Sequence, residues 1–369
     1  MSETVELFLE LAALPSPPGE ERAVADVVLG YLRGLGLEPD EDEAGPRIGS
    51  TMGNIYARVE ATTPGTPLFF CAHLDTVPPS GPLEPVVEDG IVRNAGGTIL
   101  GADNKSAVVA MLEGLRRLLA AGRPHAGIEL VFTPMEEIGL VGAAAFDSER
   151  LHATLGYVYD QAAPIGEIIL GAPWAQGLEV TFHGRAAHSG MYPEEGRSAV
   201  QAAAKAIADF RLGRIDEETT ANVGVISGGT AGNIVPEWCT FLAEARCHDE
   251  GKLQDLVQEM LDACSFAATA TECEVETELR KTYNGYRFRK DEDVVRLAAA
   301  ALARCGIEPS YALSGGAADA NVFNDRGRRC VNLANGMIDI HTPDERISVA
   351  DLDAMVDVTL ALVEEARAA

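Results

Sequence analysis

The feature that most constrains the fold is a series of short apolar runs that each end in acidic or histidine residues. Residues 68–72 are apolar throughout, residues 127–132 nearly so, and residues 156–159 form a third run. Strands without a polar face belong in sheets that helices cover on both sides, and the runs alternate with helical patterns such as 107–121. The sequence therefore predicts the α/β class.

The pattern changes beyond Gly171. Over residues 174–280 the periodicity gives the order strand, helix, strand, strand, helix, strand, which is typical of a ferredoxin-like α+β domain. After it, the alternation of helix and strand resumes. We therefore expect a first domain made of residues 1–173 and 281–369, with residues 174–280 inserted into it.

The overall composition restricts the partners and the location. There are 57 Asp and Glu residues against 29 Lys and Arg, a net charge of -28. Such a charge disfavours binding to nucleic acid and to anionic membranes, and the sequence has no apolar run of about 18 residues that would span a bilayer. The acidic N-terminus does not resemble a secretory signal, and the seven cysteines form no C-x-x-C pair. We expect a cytoplasmic protein with reduced thiols.

Candidate functional residues cluster where predicted strands end. Each cluster alone is more often a solvated surface feature, but the carboxyl ends of neighbouring strands meet at one edge of a sheet, where ligands bind. Two histidines and three carboxylates suit two divalent ions that share one carboxylate, with a further carboxylate free to act as a base. Adjacent glutamates past a strand end can divide these two tasks. The clusters are His73-Leu-Asp75, Asp103, Glu136-Glu137, Asp160 and His341.

These motifs, in this order, resemble those of the dinuclear-zinc metallopeptidases. That family includes peptidase T, carboxypeptidase G, the aminoacylases, and the acetylornithine and succinyl-diaminopimelate deacylases. The resemblance extends over nearly the whole chain and implies a catalytic domain with a mixed sheet and an inserted domain that serves as a lid and for dimerisation. It rests on His73-Leu-Asp75, Gly101-Ala-Asp103-Asn104-Lys105, Glu136-Glu137-Ile-Gly139 and His341-Thr-Pro-Asp344-Glu345.

The resemblance also implies a role for each of these residues. Asp103 would bridge two metal ions, zinc foremost, with cobalt or manganese as alternatives, and its bond to Asn104 would be a cis peptide. Glu136 would be the general base, and Asp75 would orient His73. The remaining metal ligands would be His73 and Asp160 for one ion, and Glu137 and His341 for the other.

Further residues would bind the substrate. The resemblance implies that His188 stabilises the oxyanion, with a surface histidine in a Gly-rich hairpin as the alternative. Asn233 and Arg246 would bind the substrate, although Arg246 could instead form a structural ion pair. The loop containing Gly315 and Gly316 resembles the family's substrate loop more weakly.

The residue at position 160 bears on the choice of activity. An Asp here resembles the aminopeptidase branch, whereas Glu is usual in carboxypeptidases and deacylases. We therefore expect an aminopeptidase resembling peptidase T that acts on short peptides, tripeptides foremost. A carboxypeptidase or N-acyl-amino-acid deacylase is the alternative within the family, and a non-catalytic metal-binding protein is the alternative outside it. Ala107, where many relatives have Gly, should matter little.

Overall fold

The structure, a computed structural model, describes residues 2–368, and the chain divides into two compact units. Unit 1 contains residues up to Gly171 and from Arg287 onward, and unit 2 contains Ala172–Tyr286. The helices within the described residues are α1 Glu3–Ala12, α2 Arg22–Gly34, α3 Gly45–Ile48, α4 Ala102–Ala120, α5 Val141–Ala145, α6 Ala199–Asp209, α7 Glu250–Thr271, α8 Asp293–Arg304, α9 Asp319–Asp325 and α10 Val349–Ala368.

The strands fall into three sheets, one of them in unit 2. Their bounds are β1 Asp40–Glu41, β2 Ile55–Val59, β3 Leu68–His73, β4 Pro85–Glu88, β5 Ile91–Asn94, β6 Ile128–Thr133, β7 Leu155–Gln161, β8 Glu167–Ala172, β9 Trp174–His183, β10 Gly213–Arg214, β11 Thr219–Gly228, β12 Trp238–Cys247, β13 Glu274–Tyr283, β14 Tyr286–Arg287, β15 Ser310–Leu313, β16 Arg329–Ala334 and β17 Arg346–Ser348.

The main sheet of unit 1 is mixed. Its order is β1-β2-β6-β3-β7-β16-β8-β14, and β15 pairs with β8. The central strands β6, β3, β7 and β16 are parallel, whereas β2 and β8 run antiparallel to their neighbours. Every residue of β3 and β6 is buried, as the apolar runs predict. The predicted α/β class with a mixed sheet is confirmed.

Close packing fixes the centre of this sheet. A Cβ on Gly156 in β7 would lie 2.2 Å from the ring of Phe69 in β3, so only glycine fits there. The Phe69 ring also packs against Phe323 of α9, with 5.0 Å between ring centroids. Phe70, which points to the other face, packs against Tyr157 at 6.0 Å. Aromatic rings on both faces therefore bury the central strands.

Unit 2 contains the β-α-β-β-α-β order that the periodicity predicts. Its four long strands lie in the order β11-β12-β9-β13, all antiparallel, and the short β10 pairs with the start of β11. Helices α6 and α7 pack on the sheet through a core that includes Phe182, Phe241 and Met260. The unit spans 172–286, a range that contains the 174–280 segment expected from the sequence.

No helix within residues 2–368 combines the length and the apolar character that crossing a membrane requires.

Candidate metal centre

Three neighbouring parallel strands bring the predicted ligands to one edge of the main sheet. His73 is the last residue of β3, and Asp160 lies one residue before the end of β7. Strand β6, on the other side of β3, ends at Thr133, three residues before Glu136. Because these strands are parallel, their carboxyl ends lie together, and the candidate side chains converge there.

Asp103 lies between two imidazole rings. Its Oδ1 is 3.1 Å from Nε2 of His73, and its Oδ2 is 3.1 Å from Nε2 of His341. The carboxylate is buried, with 5 % of its residue surface exposed. Each oxygen of one carboxylate therefore faces a different histidine, which is the arrangement needed by a carboxylate shared between two cations.

Further carboxylates complete two overlapping groups of donor atoms. Glu137 Oε1 is 3.1 Å from His341 Nε2, and Asp160 Oδ1 is 3.8 Å from His73 Nε2. Within each group the donor atoms all lie within 4.8 Å of one another. Imidazole nitrogen with carboxylate oxygen is a donor set that suits zinc and related divalent ions. The groups are His73 with Asp103 and Glu137, and His73 with Glu136 and Asp160.

The position of Glu136 bears on its predicted role. The sequence predicts an unligated base, yet a Glu136 oxygen lies among the donor atoms of the second group. His341 is in neither group, although its ring contacts Asp103 and Glu137. The division into bridging ligand, terminal ligands and base therefore stays a prediction.

The histidines bind protons tightly in this acidic site. Hydrogen bonds to Asp103 and Glu137 raise the pKa of His341 to about 10. Burial lowers the pKa of His73, but the nearby carboxylates of Asp103, Asp160 and Asp75 outweigh burial and raise the pKa well above its usual value. In the metal-free protein, protonated imidazoles therefore compensate part of the negative charge that a metal ion would balance.

The pKa values of the carboxylates in the same site shift in opposite directions. Burial opposes ionisation of Asp103, but hydrogen bonds from His341 and His73 outweigh it and lower the pKa of Asp103. Burial and the charge of Asp103 raise the pKa of Asp160 to about 7. Burial, reinforced by Asp160, raises the pKa of Glu136 well above its usual range. Asp103 is therefore the anionic centre of the cluster.

Asp75 fixes the turn that carries the two glutamates. Its Oδ1 accepts the Glu136 N–H at 2.9 Å and its Oδ2 accepts the Glu137 N–H at 3.0 Å. The atom at hydrogen-bond distance from His73 Nδ1 is the backbone oxygen of Asp75, at 2.9 Å, whereas the carboxylate Oδ1 is 3.4 Å away. Asp75 thus connects the β3 end to the turn after β6, because its carboxylate takes both backbone donors.

Glu345 fixes the loop that leads to Asp103. Its Oε2 accepts the N–H groups of Leu100 and Gly101 at 2.7 and 2.8 Å, and its Oε1 accepts the Asp103 N–H at 3.0 Å. The Asp103–Asn104 peptide bond is cis, as expected. The sequence places Glu345 in the His341 motif without a role. Only the fold shows which backbone donors it meets.

Two other buried charges near the centre have no assigned role from the sequence. Asp319, at the start of α9, accepts the Thr133 hydroxyl at 2.5 Å, and within the described residues its Oδ1 has no hydrogen-bond partner. Lys105 donates to the backbone oxygen of Leu14 at 2.6 Å, and burial lowers its pKa to about 7. Lys105 belongs to the Asp103 motif and Asp319 follows the Gly315-Gly316 loop, but only burial identifies these two residues as unusual.

The predicted substrate residues lie in both units. In unit 2, His188 and Asn233 are exposed and their segments are joined, since the Ser189 N–H donates to the Asn233 backbone oxygen at 3.0 Å. Arg246 pairs with Glu244 of the same strand at 2.9 Å, the structural ion pair considered above. In unit 1, Gly315 and Gly316 lie in the loop between β15 and α9.

Comparison with known proteins agrees with this geometry. Aminopeptidase PepT from Bacillus cereus is 38% identical, with a TM-score of 0.92 and coverage of 98% of each chain. A tripeptidase from Staphylococcus aureus is 34% identical, with a TM-score of 0.95 and coverage of 99% of this chain and 98% of that one. The protein YqjE of Bacillus subtilis is 38% identical over 362 residues, 98% of each chain.

The family comparison covers most of the sequence. The profile of Peptidase family M20/M25/M40 matches residues 69–365, which include every predicted metal ligand. The predicted relationship to peptidase T and its relatives is confirmed. This chain belongs to Peptidase family M20/M25/M40 and is a metallopeptidase.

Proposed function

We propose that the protein is an aminopeptidase that removes the N-terminal residue of short peptides, tripeptides foremost, with two zinc ions in the centre around Asp103. The observation that carries the proposal is the position of Asp103, whose two oxygens each lie 3.1 Å from a different imidazole. The choice of substrate is supported by the two similar structures, one an aminopeptidase and the other a tripeptidase.

The residues present fit a pair of divalent ions. One ion would be held by His73 and Asp160, and the other ion would be held by Glu137 and His341. Asp103 would bind both ions. When bound, the two ions would polarise the substrate carbonyl and make a water molecule more acidic. The preference for zinc rests on the mixed imidazole and carboxylate donors, which also accept cobalt and manganese. A bound metal pair is supported by a more distant structural relative, a dinuclear metal-binding peptidase of Bacillus subtilis.

Glu136 would move the proton in this reaction. Its backbone is held by Asp75, and its side chain is 9 % exposed among the candidate ligands. We assign its carboxylate oxygen as the acceptor of the proton from the attacking water. The same oxygen would then return the proton to the nitrogen of the departing amine, as acid–base catalysis requires.

The test is to replace Glu136 with glutamine and measure turnover and metal content together. We expect Glu136→Gln to retain about two zinc ions per chain and to lose at least about 10²-fold in kcat, since general acid–base catalysis contributes 10²–10⁴-fold. Glu129→Gln is the matched control: Glu129 is a buried glutamate of β6 whose partners include Tyr56 and His152. Loss of metal in Glu136→Gln would make Glu136 a ligand, and unchanged turnover would exclude it as the base.

A substrate panel separates the activities within the family. Tripeptides with a free N-terminus should be cleaved, and the same peptides with an acetylated N-terminus should not. A protein that cleaves only acylated amino acids, or releases only C-terminal residues, would be the deacylase or carboxypeptidase considered as alternatives. His188, Asn233, Arg246, Gly315 and Gly316 stay proposed substrate contacts, each to be tested by alanine substitution and the change in KM.

Unit 2 is proposed to act as a lid and to pair two copies of the chain. Strand β10 pairs only with Thr220 and Ala221, so within residues 2–368 the rest of β11 has no partner on that side. Val225 and Ile226, both 53 % exposed, lie on this open edge. An open strand with apolar side chains favours edge-to-edge pairing. Light scattering that gives the monomer mass would exclude the dimer.

A cytoplasmic location is also proposed. All seven cysteines are free and five are buried, as expected of a protein that works in a reducing compartment. Fractionation of cells that produce the protein tests this location.

A further inference from the structure

The segment between α1 and α2 contacts residues close in sequence to His73, Asp103 and Glu136. We call residues 14–21 the N-terminal brace. This segment lies outside the residues that match the family profile, 69–365. Each contact is made to a residue close in sequence to a predicted ligand or to the predicted base. The contacts are Lys105 Nζ to Leu14 O at 2.6 Å, Thr76 N to Ser16 O at 2.9 Å, and Met135 N to Glu21 Oε1 at 3.2 Å.

Glu21 is the only carboxylate among these three acceptors, and its side chain is fully buried. It occupies the N-cap position of α2, where a side chain usually accepts an N–H of its own helix, but it makes no such bond. Its Oε1 accepts the N–H groups of Gly19 at 2.6 Å and Met135 at 3.2 Å, and its Oε2 accepts the Ser50 hydroxyl at 2.7 Å. The side chain is therefore committed to holding other segments, not to capping its helix.

The N–H group that Glu21 accepts belongs to Met135, the residue directly before the predicted base Glu136. Met135 has a φ of 57°, a left-handed conformation that side chains other than glycine seldom adopt. The next two N–H groups, those of Glu136 and Glu137, are bonded to Asp75. Three consecutive backbone donors thus end on two buried carboxylates, Glu21 and Asp75, which belong to separate segments of the chain. This arrangement specifies both the position and the direction of the turn.

We propose that the N-terminal brace holds the turn that carries Glu136, and that Glu21 is a positioning residue for that base. The inference rests on the proposed role of Glu136. A base held at one end only by Asp75 could shift without unfolding the protein. A displacement of about 1 Å at a reacting group can cost on the order of 10²-fold in rate. Loss of Glu21 should therefore lower kcat more than it changes KM.

Three variants test the proposal in the full-length, zinc-loaded protein. Glu21→Ala removes the acceptor of the Met135 N–H. Glu21→Gln retains an amide oxygen for that N–H, and its NH2 group can donate to the Ser50 hydroxyl, which has lone pairs to accept it. Glu129→Ala is the matched control, since Glu129 is 2 % exposed and accepts the backbone N–H groups of His152 and Ala153, which lie outside the ligand loops.

Two measurements are made on each variant. The first is kcat and KM for a tripeptide, with zinc content determined on the same samples. The second is hydrogen exchange of the amides of residues 135–137, which requires no turnover. We expect Glu21→Ala to lower kcat by at least tenfold with KM within twofold and zinc content unchanged, and to speed exchange at 135–137. Glu21→Gln should recover most of the kcat, and Glu129→Ala should retain both wild-type kcat and wild-type exchange at 135–137.

The outcomes separate this inference from the proposed function. A wild-type protein that fails to cleave tripeptides would refute the proposed substrate, and exchange at 135–137 would then decide whether the brace exists. A Glu21→Ala kcat within twofold of that of Glu129→Ala would overturn the positioning role. Loss of zinc in step with loss of kcat would also overturn it, because Glu21 would then be holding a ligand rather than the base.

Discussion

Replacing Asp75 with asparagine should weaken both the fold of unit 1 and its hold on metal. The Asp75 carboxylate is fully buried and accepts two backbone N–H groups, from Glu136 and Glu137. Asparagine has the same shape but only one acceptor atom. Whichever way the amide is turned, its NH2 group must face one of the two backbone donors.

The magnitude follows from these two bonds. The bond retained by the amide oxygen loses its charge and about 1 kcal/mol, since bonds to charged groups contribute roughly 1.5–3 kcal/mol and neutral ones about 1. The other bond is lost, and its N–H is left buried without a partner at a further cost of about 1–3 kcal/mol. Together these changes lower the free energy of unfolding by about 2–4 kcal/mol. At about 2 °C per kcal/mol for a unit of this size, Tm falls by about 4–8 °C.

The expected loss of zinc affinity comes from the turn that carries Glu136 and Glu137. Because Asp75 orients the backbone of Glu137 and contacts His73, we expect zinc affinity to fall about 10–100-fold, as for other residues that hold metal ligands in place. Thermal unfolding of the metal-free protein gives the first quantity, and zinc titration against a competing chelator gives the second.

Asp42→Asn is the matched control. Asp42 also uses both oxygens, far in sequence from any predicted ligand: its Oδ1 accepts the backbone N–H groups of Ala44 and Asn54 at 2.9 and 2.8 Å, and its Oδ2 accepts the Asn54 side-chain amide at 2.9 Å. It should lower Tm but leave zinc affinity within twofold of wild type. The reasoning is refuted if Asp75→Asn also keeps wild-type zinc affinity, or if it unfolds at the wild-type temperature.

Two further predictions concern single residues of the centre. His341→Ala and His73→Ala should each bind about one zinc ion per chain instead of two, because each histidine would hold one of the two ions, whereas Asp103 would hold both; metal analysis after dialysis measures this stoichiometry. Burial raises the pKa of Asp319 to about 6, so the stability linked to its protonated form is complete below its unfolded pKa of about 4 and is lost as the pH rises through 6. Asp319→Asn, which can still accept the Thr133 hydroxyl, should flatten this decline in the metal-free protein, and urea unfolding between pH 4 and 7 measures it. Equal pH dependence in both proteins would contradict the assignment.

The sequence predicts the centre of unit 1 well because burial and strand direction are local properties. Runs such as 68–72 have no polar face, so they can only be central strands, and the residue after each run must lie at the sheet edge. That reasoning placed His73 and Asp160 correctly at the edge. The same reasoning did not find the small sheet β17-β5-β4. Strands β4 and β5 lie within residues 77–100, which are rich in Pro and Gly, whereas β17 lies much later in the chain. β5 alternates over only four residues and pairs with Arg346–Ser348, a partner that no local pattern identifies.

The acidic residues show most clearly what the sequence leaves open. With a net charge of -28, acidity alone cannot separate ligands from structural carboxylates. The distinction lies in the backbone: Asp75, Glu345 and Glu21 direct their oxygens at backbone N–H groups, whereas Asp103 and Glu137 direct theirs at imidazoles. A carboxylate committed to backbone donors has few lone pairs left for a cation, but one that faces an imidazole can exchange that contact for a metal ion. Which acids bind backbone depends on contacts between segments far apart in sequence, and these contacts exist only once the chain has folded.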